Sequence, residues 1–88
     1  MMTNSTALPI QPIYAESSPH AITAVADLGD LIRQSRSRMK RSQQDFADLA
    51  GVGRRFVSEL EAGKPTLEIE RVLRVCKVAG IDLLASVR

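Results

Sequence analysis

From Thr23 onward the apolar residues of the chain recur at helical spacing, with polar side chains between them. Val25, Leu28, Leu31, Ile32, Ser35 and Met39 fall near one face, with Arg33, Arg36 and Arg38 elsewhere, which predicts a first helix ending near Lys40. Thr23 or Asp27 is placed to cap its start. Ser42 followed by Asp45 reads as an N-cap with a carboxylate at the third helical position, and such an acid also suits the helix dipole. A second helix is therefore expected to about Ala50, with Phe46, Ala47, Leu49 and Ala50 on its inward side. Gly51-Val52-Gly53 predicts a tight turn with Gly51 left-handed and Val52 dropped inward as an apolar plug. A third helix follows at once, Arg54 to Glu61, presenting Val57 and Leu60 inward and Arg54, Arg55, Ser58 and Glu59 outward.

Ala62-Gly63-Lys64-Pro65 breaks the chain, and Thr66 is expected to cap a fourth helix that Gly80 terminates. Its apolar side reads as Leu67, Ile69, Val72, Leu73, Cys76 and Ala79. Beyond it Ile81, Leu83, Ala85 and Val87 alternate with mostly polar neighbours, the period of a strand; a frayed continuation of the fourth helix is the alternative. A lone strand leaves its backbone groups unpaired, so this one requires the same strand of a second subunit, in an antiparallel ribbon about a two-fold axis. At the other end, Pro9, Pro12 and Pro19 among Ser, Thr and Asn leave no room for a regular helix. The expected organisation is an arm over residues 1–22, flexible or extended, a helical body over 23–80, and a dimerising strand over 81–88. The fold class is all-α: a compact domain of four to five helices with a C-terminal β-strand that pairs across a dimer.

Composition narrows the function. Eighty-eight residues suffice for one domain with a thin stability margin, which dimerisation would widen. The net charge of +2 hides a gradient, because Glu16, Asp27 and Asp30 are the only charged residues before Arg33, and all 12 Lys and Arg follow. A nucleic-acid-binding body with a non-binding extension has this polarity, as does a merely solvated basic face. One cysteine, Cys76, and one histidine, His20, provide neither a disulfide nor zinc-ligand spacing, so no metal or cofactor is expected and a reducing compartment fits. With no basic residue near the N-terminus and no apolar run approaching the roughly 18 residues of a span, neither export nor membrane insertion is expected, and the cytoplasm is the expected location. The same inventory, with no glycine-rich phosphate loop, gives no reason to expect an enzyme.

The stretch from Ser42 to Val52, followed by Val57-Ser58-Glu59-Leu60-Glu61-Ala62-Gly63-Lys64, resembles the phage-repressor-like (Cro/CI, or XRE) helix-turn-helix family, over about residues 28 to 80. Within it the body is most similar to the HipB-type repressor antitoxins encoded beside HipA-type kinase toxins, through the Leu28-Gly29-Asp30-Leu31-Ile32-Arg33-Gln34 opening and the Gly63-Lys64-Pro65-Thr66 turn. The resemblance implies a lambda-repressor-like domain whose third helix enters the DNA major groove. It implies that Gln43 bonds a phosphate with help from free amides, and that Arg54 and Arg55 read bases, the guanidinium fork matching guanine O6 and N7. Glu59 would accept from a cytosine amino group and Ser58 would reach a base edge or a phosphate, while Lys40, Arg41 and Lys64 would meet the DNA backbone. A bland reading stands beside this one: Arg55 and Glu59, four apart, pair on a solvated helix face. Arg36 and Glu61 match a family ion pair that ties helix one to the end of helix three.

The chain departs from the family pattern in two places. Gly53 stands where Ser or Thr is usual, weakening the cap by a few tenths of a kcal/mol. Lys40 and Arg41 replace a glycine and an aliphatic residue, so a left-handed turn is less comfortable there while two cations are gained. The partners implied are a double-stranded DNA operator, a second copy of the chain and a HipA-like kinase toxin, with no membrane. The function implied is a repressor antitoxin that autoregulates its operon and neutralises the toxin. A free-standing repressor and a helix-turn-helix protein-interaction module are the alternatives.

Overall fold

The computed structural model describes residues 20–88, so the expected arm lies outside the described residues except for His20, Ala21 and Ile22, which are exposed and without regular structure. Four helices follow in order: α1 (Val25–Arg38), α2 (Gln43–Ala50), α3 (Arg54–Glu61) and α4 (Ile69–Ala79). The short α2 and α3 pack on each other, α1 lies against α3, and α4 closes the body against α2 and α1. The core draws on every helix: Leu28 and Ile32, then Phe46, Ala47 and Ala50, then Val57 and Leu60, then Val72, Val75, Cys76 and Ala79. Ser35 is buried among them, and its hydroxyl donates to the Ala79 carbonyl at 2.6 Å, so the polar group is satisfied while it ties α1 to the last turn of α4. Burial pushes the Cys76 thiol up to about 11, which keeps it protonated and unreactive near neutral pH.

All four helices end in the same way. Lys40, Gly51, Gly63 and Gly80 have left-handed backbone, with φ of 55°, 71°, 84° and 73°. The next residue in each case donates its N–H back five residues: Arg41 to Arg36, Val52 to Ala47, Lys64 to Glu59 and Ile81 to Cys76, at 3.1, 3.0, 3.0 and 2.9 Å. This closure satisfies carbonyls that a helix end would leave open, and Val52 and Ile81 pack onto the core as its usual apolar companions. Lys40 is the only non-glycine in that set, at the position where a left-handed turn is expected to be uncomfortable.

Helix starts differ more from expectation. The Ser42 hydroxyl accepts from the Asp45 amide at 3.0 Å and the Asp45 carboxylate accepts from the Ser42 amide at 2.9 Å, the full reciprocal box. These bonds from Ser42 hold the Asp45 carboxyl below the ordinary aspartate range. At α1 only half of such a box exists, with Asp27 accepting from the amides of Thr23 and Ala24 while Ala24 itself is the N-cap. Thr66 does not cap α4. That helix begins after Glu68, because Leu67 packs against the core and the chain is still extended at Glu68, whose ψ is 120°. The buried face also differs from expectation: Val75 is fully buried, whereas Ile69 is 63% and Leu73 43% exposed. Leu49 and Met39, expected inward, are likewise exposed.

The expected strand is absent among the described residues. Residues 81–88 of the single chain carry no regular structure, and beyond the half-buried Ile81 they are exposed. One strand alone has no second row of backbone partners, so alternation of Ile81, Leu83, Ala85 and Val87 cannot form a ladder within one copy. A fifth helix is not present among the described residues either.

Two substitutions test this packing in opposite directions. A Cβ built on Gly29 would run into the Leu60 carbonyl, with the Glu61 Cα 3.0 Å away, so Gly29→Ala forces α1 and α3 apart and lowers stability by at least about 1–3 kcal/mol in urea unfolding. Lys40→Gly removes the left-handed strain and raises stability by about 1 kcal/mol in the same measurement.

Candidate nucleic-acid interface

The three-residue turn Gly51–Gly53 joins the end of α2 to the start of α3, and the side chains of Gln43 and Arg54, the first residues of the two helices, reach each other across the helix pair. Arg54 Nη1 donates to Gln43 Oε1 at 3.2 Å. Gln43 Nε2 in turn donates to Glu61 Oε1 at 3.1 Å, so both ends of the Gln43 amide have partners. Gly53 provides no side-chain cap to α3, which leaves the first amides of that helix without helical acceptors of their own. Its φ of −79° is ordinary, and nothing lies within 4 Å of a Cβ built there, so serine or threonine would fit.

Behind this surface Glu61 is held by Arg36, Nε to Oε2 at 2.7 Å and Nη2 to Oε1 at 2.8 Å, the parallel two-bond geometry for which guanidinium and carboxylate are matched. The pair is largely out of solvent, with side-chain exposures of 18% and 5%. The third arm of the fork, Nη1, donates to the Arg41 carbonyl at 3.0 Å and so fixes the loop that carries Lys40 and Arg41. Burial raises the Glu61 carboxyl, but the hydrogen bonds from Arg36 and Gln43 and the nearby positive charge outweigh it, leaving the group below the ordinary glutamate range. The hydrogen bond to Glu61 raises Arg36 in turn.

The outer residues of α3 divide into two sets. Arg54 and Arg55 are exposed on its first turn, and Ser58 and Glu59 are half-buried one turn on. Glu59 Oε2 lies 3.2 Å from Arg55 Nε and 3.4 Å from Lys64 Nζ, Lys64 being brought back over the end of α3 by the left-handed Gly63. Partial burial raises the Glu59 carboxyl, and the bonds and charges of Lys64 and Arg55 more than offset this, so it too sits low. Lys40 and Arg41 lie exposed between α1 and α2. Ile81, Leu83, Ala85 and Val87 belong to the irregular tail after α4.

The structure thus gathers Gln43, Arg54, Arg55, Ser58, Glu59 and Lys64 around α3, with the Arg36–Glu61 pair behind them. Sequence reasoning pairs Arg36 with Glu61 but misses that Gln43 joins this pair to Arg54. No local signal gives the Gln43–Arg54 bond, because a short turn joins the end of α2 to the start of α3 and leaves Gln43 a helix length away; it depends on the angle at which the two helices cross and on the reach of both side chains.

Comparison with known proteins gives the family. The sequence profile described as "Helix-turn-helix domain" matches residues 27–85. An uncharacterised HTH-type transcriptional regulator, y4mF, of Sinorhizobium fredii is 47% identical over 66 residues, covering 73% of this chain and 87% of the relative.

The depressed Glu61 value carries a pH dependence. A carboxyl lower in the folded than in the unfolded chain contributes stability that is complete above the ordinary value of 4.5 and is lost as pH falls through the folded value. Urea unfolding across pH 7 to 3 is expected to show this loss below pH 4.5, and Glu61→Gln to flatten it. At neutral pH the same variant leaves Arg36 without its counter-ion, and destabilisation near the lower end of roughly 3–5 kcal/mol is expected.

Proposed function

The chain belongs to the helix-turn-helix domain family, and from that premise we propose that it is a sequence-specific DNA-binding transcriptional repressor, a binding protein of the cytoplasm rather than an enzyme. The observation that carries the reading is the placement of Arg54 and Arg55, exposed on the first turn of α3 and adjoining Gln43 at the start of α2. In this reading α3 lies in the major groove. Arg54 and Arg55 donate to guanine O6 and N7, and Ser58 and Glu59 reach the base edges one turn further on. Gln43, Lys40, Arg41 and Lys64 hold the phosphates and set the register, which carries no sequence information by itself.

The repressor acts as a homodimer. Leu83 at 39%, Leu84 at 80% and Val87 at 94% exposure give the tail apolar surface that one copy leaves uncovered, and pairing through Ile81, Leu83, Ala85 and Val87 of two copies would supply the backbone partners the single chain lacks. The finer reading is the antitoxin of a HipBA-type operon, repressing its own promoter and holding a kinase-like toxin inactive. Its support is the similarity of the Leu28 to Gln34 opening and the Gly63 to Thr66 turn to that group. Co-expression with the product of the adjacent gene tests it: a stable complex with a kinase-like protein is expected, and the absence of such a gene reduces the reading to a free-standing repressor.

The DNA-binding reading is tested by titrating wild type and the Arg54→Ala, Arg55→Ala double variant against the chain's own promoter duplex and a random duplex, at two salt concentrations. Each lost two-bond guanine contact removes about 1–3 kcal/mol of discrimination, so the variant is expected to lose promoter preference at least tenfold while keeping weak, salt-sensitive binding. A wild type that prefers neither duplex would instead favour a protein-interaction module.

A further inference from the structure

Three cations and one carboxylate share the outer face of α3 and its following loop, and they are not equivalent. Arg54 bonds to a neutral amide, so its charge is uncompensated. Arg55 and Lys64 converge on a single oxygen of Glu59 from opposite ends: Arg55 from the preceding turn, Lys64 from the loop folded back by Gly63. Glu59 is also the least exposed of the three, at 27% of its side chain against 89% for Arg55 and 45% for Lys64. The other local pairs, Asp30 with Arg33 and Glu68 with Arg71, each join one acid to one base three residues away, with both partners more than half exposed. Among the described residues Glu59 alone has two cations on one oxygen.

We propose that Glu59 is a specificity-determining residue that acts by repulsion: its carboxylate occupies Arg55 and Lys64 as a phosphate would, and releases them to DNA only where a base edge offers a donor in their place. The inference rests on the DNA-binding reading and deepens it. A phosphate oxygen approaching Arg55 or Lys64 competes with a carboxylate already in position and is repelled by it. At a matching site the cytosine N4 amino group donates to Glu59, and both cations become free to bond guanine or the backbone. At any other site Glu59 is left facing acceptors, and the association loses two of the ion contacts on which sequence-independent binding depends. The carboxylate therefore weakens all DNA binding, and it weakens mismatched binding more, which is how discrimination is gained by a repulsive element.

The test compares wild type, Glu59→Gln and Glu70→Gln on the promoter duplex and on a random duplex across a salt series. Glu59→Gln keeps the shape and removes the charge, while Glu70→Gln makes the same change in net charge on the exposed start of α4. The expected result is that Glu59→Gln binds random duplex on the order of tenfold more tightly, with a salt slope steeper by about 1–2, as two further phosphate contacts require. Its promoter-to-random ratio falls, and Glu70→Gln stays with wild type. Equal random-duplex affinity and slope for wild type and Glu59→Gln would overturn the inference while leaving the DNA-binding reading intact, as would an equal gain from Glu70→Gln. Failure of all three proteins to bind either duplex would overturn both. Unfolding midpoints of the two variants, compared with wild type, check that each is folded.

Discussion

The contact of α1 with the end of α3 is the constraint on which the rest of the structure depends. Gly29 lets the two backbones meet at Leu60 and Glu61, and no side chain can be accommodated between them. Two turns further along α1, Arg36 grips Glu61 with two arms and the Arg41 carbonyl with the third. One helix thereby positions both the end of α3 and the entry to α2. Gly63, whose Cβ would meet Ala26 of α1, closes the same seam from the other side and returns Lys64 to the outer face.

The Arg36–Glu61 pair is better understood as a device for geometry than as a source of stability. Taking two charges out of water largely offsets their attraction, so apolar residues of the same shape could hold the helices as firmly. What they could not do is present Glu61 Oε1 to Gln43. That bond fixes which end of the Gln43 amide faces Arg54, and the chain Arg36, Glu61, Gln43, Arg54 carries orientation from the protein interior to an exposed guanidinium. Exposed pairs such as Asp30 with Arg33 have no comparable consequence, because solvent screens them and neither partner is held by a third group.

What the sequence made legible were the features determined by neighbouring residues. The Ser42/Asp45 box, the left-handed Gly51, the stop at Gly80 and the limits of α3 all follow from chemistry within one turn, and they stand where the pattern puts them. Periodicity was less reliable wherever burial depends on a neighbour that the pattern does not contain. Leu49, Ile69 and Leu73 sit at helical spacing yet face outward, because the elements around them leave those sides uncovered. Thr66 has the chemistry of a cap, but Leu67 is drawn to the core and the chain turns helical only after Glu68. The alternation after Gly80 reads as a strand, yet residues 81–88 carry no regular structure in the single chain. At the site, residue types and positions were legible, whereas the Gln43–Glu61 bond, 18 residues apart, and the sharing of Glu59 by two cations arise only from the folded arrangement.

In the proposed reading α3 is the face that meets DNA, with α1 behind it and α4 apart from it. The most direct measurement is a nitrogen–proton NMR titration of the labelled protein with its promoter duplex, following every backbone amide and the Gln43 and Arg side chains. Perturbations are expected to concentrate on Gln43, on residues 53–59 and on Lys64, with Lys40 and Arg41 moving less and residues 69–79 of α4 unchanged. Perturbations centred on α4 with the first turn of α3 unmoved would contradict that reading.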